Sequence, residues 1–268
     1  MISECDLKKK AKQILQSGSI ECAEFEAAQI SRFVLKNSAA QNVIEQLEKI
    51  CKMRCRGFPL QYIFGEWEFF SLDFAVGPGV LIPRADTEIL VERALEFLKT
   101  QKAYTVVDLC SGSGCIAVAI KKNCQQATVL AVEKSKKAYE YLVKNIKKNN
   151  VGVEAILFDA LKFKKNCDLI VCNPPYIESY KIDSLQREVS HEPQMALDGG
   201  PDGLKFYRNI TKNAAQMLNS GGKLMFEVGY NQAASVTKLL LDSGFCDVEV
   251  YKDYGGNDRV VSGMKKQH

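Results

Sequence analysis

Val106-Val107-Asp108-Leu109-Cys110-Ser111-Gly112-Ser113-Gly114-Cys115-Ile116-Ala117-Val118-Ala119-Ile120 passes from an apolar, β-branched run through a glycine-rich turn into a second apolar run. The first run reads as a strand buried on both faces, as in a parallel sheet, and the second as a buried helix. Gly112 and Gly114 let the main chain approach a ligand closely, and the N–H groups opening the helix face it. Thr128-Val129-Leu130-Ala131-Val132-Glu133 then reads as a second strand closed by a carboxylate. That acid lies about 20 residues beyond Gly112, a placement that suits the two hydroxyls of a ribose. Together these features predict a nucleotide-binding βα unit.

Gly112-x-Gly114-x-x-Ala117 also satisfies the loose fingerprint of a dinucleotide-binding dehydrogenase. Asp108 argues against that. Its carboxylate at the strand end would repel a pyrophosphate but favour a cation, such as the sulfonium and ammonium of S-adenosylmethionine. Asp is also a common turn former, so a cap on the turn is the plainer reading of the same residue. A later strand decides between the two.

That strand is Asp168-Leu169-Ile170-Val171-Cys172, followed by Asn173-Pro174-Pro175-Tyr176. A planar NH2 group is a poor nucleophile, so a catalyst that attacks with it must supply acceptors that hold the nitrogen and direct its lone pair. The Asn173 side-chain oxygen and the Pro174 carbonyl can both accept from an NH2, Pro174 and Pro175 stiffen the turn, and Tyr176 offers an aromatic face. Asn and Pro are ordinary turn residues as well. Asp159, at the end of a further strand candidate over 154–158, is placed either to accept from an adenine amino group or to cap the turn before Leu161.

Composition permits this chemistry and excludes others. The chain has 268 residues, 46% of them hydrophobic, which allows one sizeable core and a small second domain. There is no apolar run of about 18 residues and no signal peptide, which predicts a cytoplasmic protein without a membrane partner. Ten cysteines without a C-x-x-C pair read as reduced thiols. Cys51 and Cys55 share a helical face, but no histidine stands near, and no metal site is expected. With His191 and His268 the only histidines, a histidine-based hydrolase is disfavoured. The net charge of +4 does not by itself indicate nucleic acid. Lysines over 134–148 recur at helical spacing beside Leu142, Val143 and Ile146, the pattern of a solvated amphipathic helix rather than of an RNA-contacting patch.

Within a helical domain placed over 1–65, the sequence is helical in pattern to about Gly57, with Ser19 or Glu21 near the start of one segment, Ser38 capping another through Val43, Leu47, Ile50 and Met53, and Phe58-Pro59-Leu60 breaking the last helix. An aromatic, turn-bearing stretch from Tyr62 to Gly79 reads as a β-hairpin, which places a linker over 66–84. Residues 85–268 open with a helix from about Asp86 to Leu98 and then alternate strands and helices in the manner of a doubly wound α/β sheet. Strand candidates lie at 105–109, 128–133, 154–158, 169–172 and 222–228, with a late pair near 247–251 and 259–263.

Four blocks of sequence carry a resemblance. They are Asp108-x-x-x-Gly112-x-Gly114, Asn173 to Tyr176, His191-Glu192-Pro193 with Ala196 through Leu204, and Asp253 through Val261. As a set they resemble the peptide chain release factor glutamine N5-methyltransferases, over nearly all of the chain from Phe58 to Met264. The resemblance implies a class I S-adenosylmethionine-dependent methyltransferase, a Rossmann-like seven-stranded sheet behind a helical recognition domain. It implies methyl transfer from S-adenosyl-L-methionine, released as S-adenosyl-L-homocysteine, to the glutamine amide in the Gly-Gly-Gln tip of class 1 release factors. By position it puts the methionine part of the cofactor on Cys110, Ser111, Gly112, Ser113 and Gly114, beside Asp108. The ribose falls on Glu133 and the adenine near Asp159, with Asn173 touching both substrates. The target amide falls on Asn173, Pro174, Pro175 and Tyr176. The implied partner is a release factor met by a monomer, without direct nucleic-acid contact.

Two departures stand out. Ala85 replaces the second proline of a usual Pro-Arg-Pro, and the helical region before Pro59 is short near 36–40. A ribosomal-protein glutamine methyltransferase would share both central motifs. A nucleic-acid adenine N6-methyltransferase would use a similar Asn-Pro-Pro-Tyr turn but would want a base-reading domain and a more basic surface. A noncatalytic binding module would have no need of the cofactor turn.

Overall fold

In the computed structural model, which describes residues 3–99 and 104–266, the strand read from Val106 stands inside a seven-stranded sheet. His268 lies outside the described residues. The strands of this sheet are β3 (Thr105–Leu109), β4 (Thr128–Glu133), β5 (Val153–Leu157), β6 (Cys167–Cys172), β7 (Leu218–Glu227), β8 (Phe245–Lys252) and β9 (Asp258–Lys265). Their order is β5-β4-β3-β6-β7-β9-β8, parallel from β5 to β7, with β9 antiparallel between β7 and β8. The fold is α/β. The helices that follow the strands are α5 (Glu88–Leu98), α6 (Cys115–Asn123), α7 (Lys136–Asn149), α8 (Lys205–Met217) and α9 (Ala233–Asp242).

The apolar runs explain the layers. Val106, Val129, Leu169 and Val171 pack with α5 and α6 in one buried cluster. Val107, Leu130, Ile170 and Phe226 pack with α8 and α9 in another. A strand covered on both faces must be apolar at every position, which is why these strands read as continuous runs.

The chain divides into two units, one comprising Met1–Gly65 with Gln186–His191 and the other Glu66–Leu185 with Glu192–His268. In the first, α1 (Glu4–Ser17), α2 (Ala23–Asn37), α3 (Val43–Cys55) and the short α4 (Leu60–Phe64) bury Leu7, Leu15, Ile30, Val34, Leu47 and Ile50 against one another. Ser3 begins α1, its hydroxyl accepting from the Asp6 N–H. Ser38 does not cap α3. It closes α2, and a single 3₁₀ turn over Ala40–Asn42 leads into α3 at Val43. Ser19 sits in the loop with φ 58°, and α2 begins only at Ala23. The Arg54 guanidinium, 8% exposed, donates to both Glu26 oxygens at 2.8 and 3.0 Å and to Glu188 at 2.6 Å. Glu188 thus fixes the returning segment to this unit, with the His191 ring 4.3 Å from that of Phe58.

The hairpin belongs to the second unit. Its strands β1 (Glu66–Phe69) and β2 (Leu72–Ala75) are shorter than the aromatic stretch suggested, because Tyr62 lies in α4. The turn residues Phe70 and Ser71 both have positive φ, 51° and 57°, as a two-residue turn between twisted strands demands. The Phe70 N–H donates to Glu88 at 2.7 Å, which holds this uncommon turn against α5. Phe69 and Phe74 enter the core, so 66–75 packs as part of the sheet unit.

Asn145 of α7, fully buried, joins the hairpin to the glycine turn. Its Oδ1 accepts from the Ala75 N–H at 2.7 Å, and its Nδ2 donates to the carbonyls of Ala75 and Ser113 at 3.0 and 2.9 Å. Asn145→Ala strands three buried main-chain groups, and a buried polar group left unpaired costs about 1–3 kcal/mol. The variant is expected to lose about 2 kcal/mol or more, read as a lower urea midpoint at unchanged slope.

Candidate active site

Parallel register sets the site. Leu109 stands opposite Val132 on one side and Cys172 on the other, so Cys110, Glu133 and Asn173 each emerge one residue beyond aligned positions. Ligands of open α/β sheets bind beyond these carboxyl ends. After β3 the chain turns sharply, with φ of 62° at Cys110, 54° at Gly112 and 80° at Gly114. At Gly114 a side chain would also collide with Leu142 of α7, so α6 and α7 can approach only over a glycine.

The Glu133 carboxylate is 8% exposed and held at both oxygens. One accepts from the Gly112 N–H at 2.8 Å and the other from the Ser135 N–H at 2.6 Å. Asp159 caps the turn and also faces the cavity. It accepts from the Leu161 N–H at 3.0 Å, as a turn cap, and pairs with Lys134 at 2.9 Å while facing the same cavity, and the lysine with the N–H holds its carboxyl below the usual range against a partial burial that pushes it up.

These groups surround one cavity of about 780 Å³ within the sheet unit. Cys110, Ser111, Gly112, Ser113, Glu133, Asp159, Asn173 and Pro175, all expected from the sequence, face it. Asn173, half-buried, donates through Nδ2 to the Thr87 hydroxyl at 3.3 Å, and no described residue donates to its Oδ1. Arg84 lines the cavity too. Its guanidinium is paired to the buried Glu192, which also accepts from the Ile82 N–H at 3.0 Å.

Asp108, Gly114, Pro174 and Tyr176 do not line the cavity. Asp108 is fully buried behind the turn, where its Oδ2 accepts from the Ala117 N–H at 3.3 Å, because the first N–H groups of α6 need an acceptor. Its Oδ1 has no partner among the described residues. Burial pushes this carboxyl up to about 8, against the Ser111 and Ala117 hydrogen bonds that lower it. The Tyr176 ring turns away into the cluster under α8 and α9, and burial raises its phenol.

The glycines of the Gly199–Gly203 loop serve this same packing. A side chain at Gly199 or Gly203 would strike the Tyr176 main chain. Such close backbone approach, rather than an open cradle, is what the loop provides.

Residues 85–203, which include the glycine turn and Asn173, match the family model described as the methyltransferase small domain. The chain is 38% identical over 261 residues to the release factor glutamine methyltransferase of Thermodesulfovibrio yellowstonii, an alignment covering 95% of this chain and 93% of that one. The chain belongs to the release factor glutamine methyltransferase family. It is also 43% identical over 212 residues to the protein of the same description from Fusobacterium nucleatum, covering 77% of this chain and 60% of that relative's length. A methyltransferase structure from Pyrococcus furiosus superposes on 74% of the chain and 91% of its own, with a TM-score of 0.55 at 21% identity, which shows the shared fold.

In this methyltransferase three residues around the Asn-Pro-Pro-Tyr turn escaped the reading of the sequence. Gln232, 9% exposed, donates through Nε2 to the Tyr176 carbonyl at 2.9 Å and to the Gly203 carbonyl at 3.4 Å. Its Oε1 accepts from the Gly229 N–H and the Tyr207 hydroxyl. Nothing in its local sequence marks it. Thr87 sits in an unremarkable turn before α5. Glu227 did carry a signal, an acid closing an apolar strand, as Glu133 does.

Asp108 generates a pH test on the ligand-free protein. In the folded chain the carboxyl stays protonated to about 8, against an ordinary value of 3.8. Between those values the folded state binds the extra proton, so this group makes stability fall as pH rises and contributes no further slope above about 8. Asp108→Asn, neutral throughout, is expected to decline less steeply than the wild type across that window in urea melts. Parallel declines would show that Asp108 is already ionised.

Proposed function

We propose that this chain transfers the methyl group of S-adenosyl-L-methionine to the side-chain amide nitrogen of the glutamine in the Gly-Gly-Gln segment of class 1 peptide chain release factors. The observation that carries the reading is the convergence of the glycine turn, Glu133 and Asn173 on one cavity, in a chain that belongs to this family.

The residues suit the cofactor. Glu133 is fixed by two main-chain donors yet keeps free lone pairs, the state needed to accept from two ribose hydroxyls. The turn of Cys110 to Gly114 presents main chain at the cavity wall, and Asp159 can accept from an adenine amino group. When bound, S-adenosyl-L-methionine supplies a methyl group on a cationic sulfur and departs as S-adenosyl-L-homocysteine.

The rest of the chemistry belongs to the chain. Asn173 gives its NH2 to Thr87, so its Oδ1 is left to accept from the target amide, and the Pro174 carbonyl, although Pro174 does not line the cavity in this structure, is the second acceptor of this reading. Held at two points, the target nitrogen keeps its lone pair directed along the line of transfer, and orientation lowers the barrier without a strong base. Pro174 and Pro175, both buried, keep those acceptors from relaxing toward each other. Tyr176 contributes as an anchor, since its ring and carbonyl tie the turn to α8, α9 and Gln232. Residues 1–65 serve as the docking region for the release factor.

Intact mass of a class 1 release factor after incubation with this protein and the cofactor is expected to rise by one methyl group, and not at all when the tip glutamine is replaced by alanine. A methyl gain on a ribosomal protein in place of the release factor would favour the alternative glutamine substrate. Asn173→Ala is expected to lower kcat by about 100-fold or more while cofactor affinity changes little. Glu133→Ala is expected to weaken cofactor binding by about 1.5–3 kcal/mol, the worth of a charged hydrogen bond, in a calorimetric titration.

A further inference from the structure

We propose that Glu227, acting through the Thr87 hydroxyl, is a positioning residue that decides which end of the Asn173 amide faces the cavity. The inference rests on the reading of Asn173 Oδ1 as an acceptor for the target amide.

Glu227 ends β7, and its neighbour Phe226 is paired with Cys172, so Glu227 emerges from the sheet level with Asn173. It is 1% exposed, and Thr87, between it and Asn173, is 2% exposed. Thr87 receives the Asn173 NH2 at 3.3 Å, and its hydroxyl is one of the groups that lower the Glu227 carboxyl, which makes it the candidate to give its hydrogen to that carboxylate. One carboxylate oxygen, Oε2, is buried without a partner among the described residues. A buried carboxylate with an unpartnered oxygen is an expensive arrangement for a merely structural acid.

A hydroxyl has one proton to give. With Glu227 ionised, that proton goes to the carboxylate, and the Thr87 oxygen is left to accept from Asn173. The amide then presents Oδ1 to the cavity. With Glu227 protonated, its own O–H can donate to the Thr87 oxygen. The freed Thr87 proton then suits the amide in its opposite orientation, which turns an NH2 toward a substrate NH2 and leaves the target without its acceptor.

The surroundings place this exchange near neutrality. Burial pushes Glu227 up to about 7, opposed by the Thr87 hydrogen bond and the charge of Arg259 on β9. Asp86, beside Thr87, raises it and Arg84 lowers it. Tyr176 on the catalytic turn, Tyr207 of α8, Cys172 of β6 and Cys115 of α6 also face its charge. Arg259 does not neutralise Glu227 directly, because it is engaged by Asp253 at 3.0 Å and Asp86 at 3.1 Å.

The first test needs neither cofactor nor substrate. In ¹⁵N-asparagine-labelled protein, with the Asn173 side-chain NH2 assigned through Asn173→Ser, that resonance is expected to titrate between about pH 5.5 and 8.5 with a midpoint near neutrality. Glu227→Gln is expected to remove the titration. A wild-type resonance that does not move, or one that still titrates in Glu227→Gln, overturns the proposal.

The second test reads methyl transfer. Wild-type kcat is expected to rise through neutrality to a plateau, and Glu227→Gln to flatten that rise. Thr87→Val is expected to lower kcat on the order of tenfold with little change in KM or cofactor Kd, and Thr87→Ser to restore it. An unchanged acid limb in Glu227→Gln, or a Thr87→Val loss confined to KM, counts against the inference. Titration of Asn173 in a protein that methylates no release factor would leave the inference standing and refute the proposed substrate.

Discussion

The in-register pairing of the central parallel strands is the constraint on which everything at the cavity depends. Val132, Leu109, Cys172 and Phe226 lie side by side across four strands. The four residues that follow them, Glu133, Cys110, Asn173 and Glu227, therefore leave the sheet at one level. A slip of one residue in any pair would carry a polar group into a packed layer and an aliphatic one to the cavity. Apolar cover on both faces holds the register, since every inward side chain of β3, β4 and β6 has a layer of helix to meet. Chemistry at the rim is thus paid for by burial below it.

Much of this was legible in the chain itself. Continuous apolar runs announced β3, β4 and β6, and the acids and the asparagine that ended them announced the rim. The glycines of 112 and 114 announced the turn between β3 and α6. Side-chain direction at the strand ends was harder to read. Asp108 and Tyr176 adjoin the motifs, yet one turns under α6 and the other into the cluster beneath α8 and α9. Proximity in sequence says little about direction where the backbone leaves extended geometry, and the positive φ of Cys110 is such a place. Thr87 and Gln232 were illegible for another reason: each reaches the site from a distant segment, and only the tertiary fold brings it there.

Those distant residues share a strategy. Asn145 and Gln232 are buried carboxamides that use both ends, each bonding main-chain groups on segments that no secondary structure connects. A carboxamide with donors and acceptors both engaged has one satisfactory orientation, so it fixes distance and direction together. Asn145 does this for the glycine turn and Gln232 for the Asn-Pro-Pro-Tyr turn. The two halves of the cavity are each braced from behind by an amide. Glu192 does the same for Ile82 and Arg84 with a carboxylate.

The helical unit takes back six residues, 186–191, from beyond β6 in the chain, and Glu188 among them supplies a second carboxylate to Arg54. This gives the protein a modular history that a linear map of its domains conceals. A helical region exchanged between relatives as an N-terminal block, cut after Gly65, would leave its arginine facing one carboxylate where it is built for two. The guanidinium N–H that bonds Glu188 would lose its acceptor, and a buried donor left unpaired is destabilising. Inheritance of the N-terminal region and of the short insert after the catalytic turn should therefore be coupled, with the two varying as one piece although some 120 residues of chain separate them.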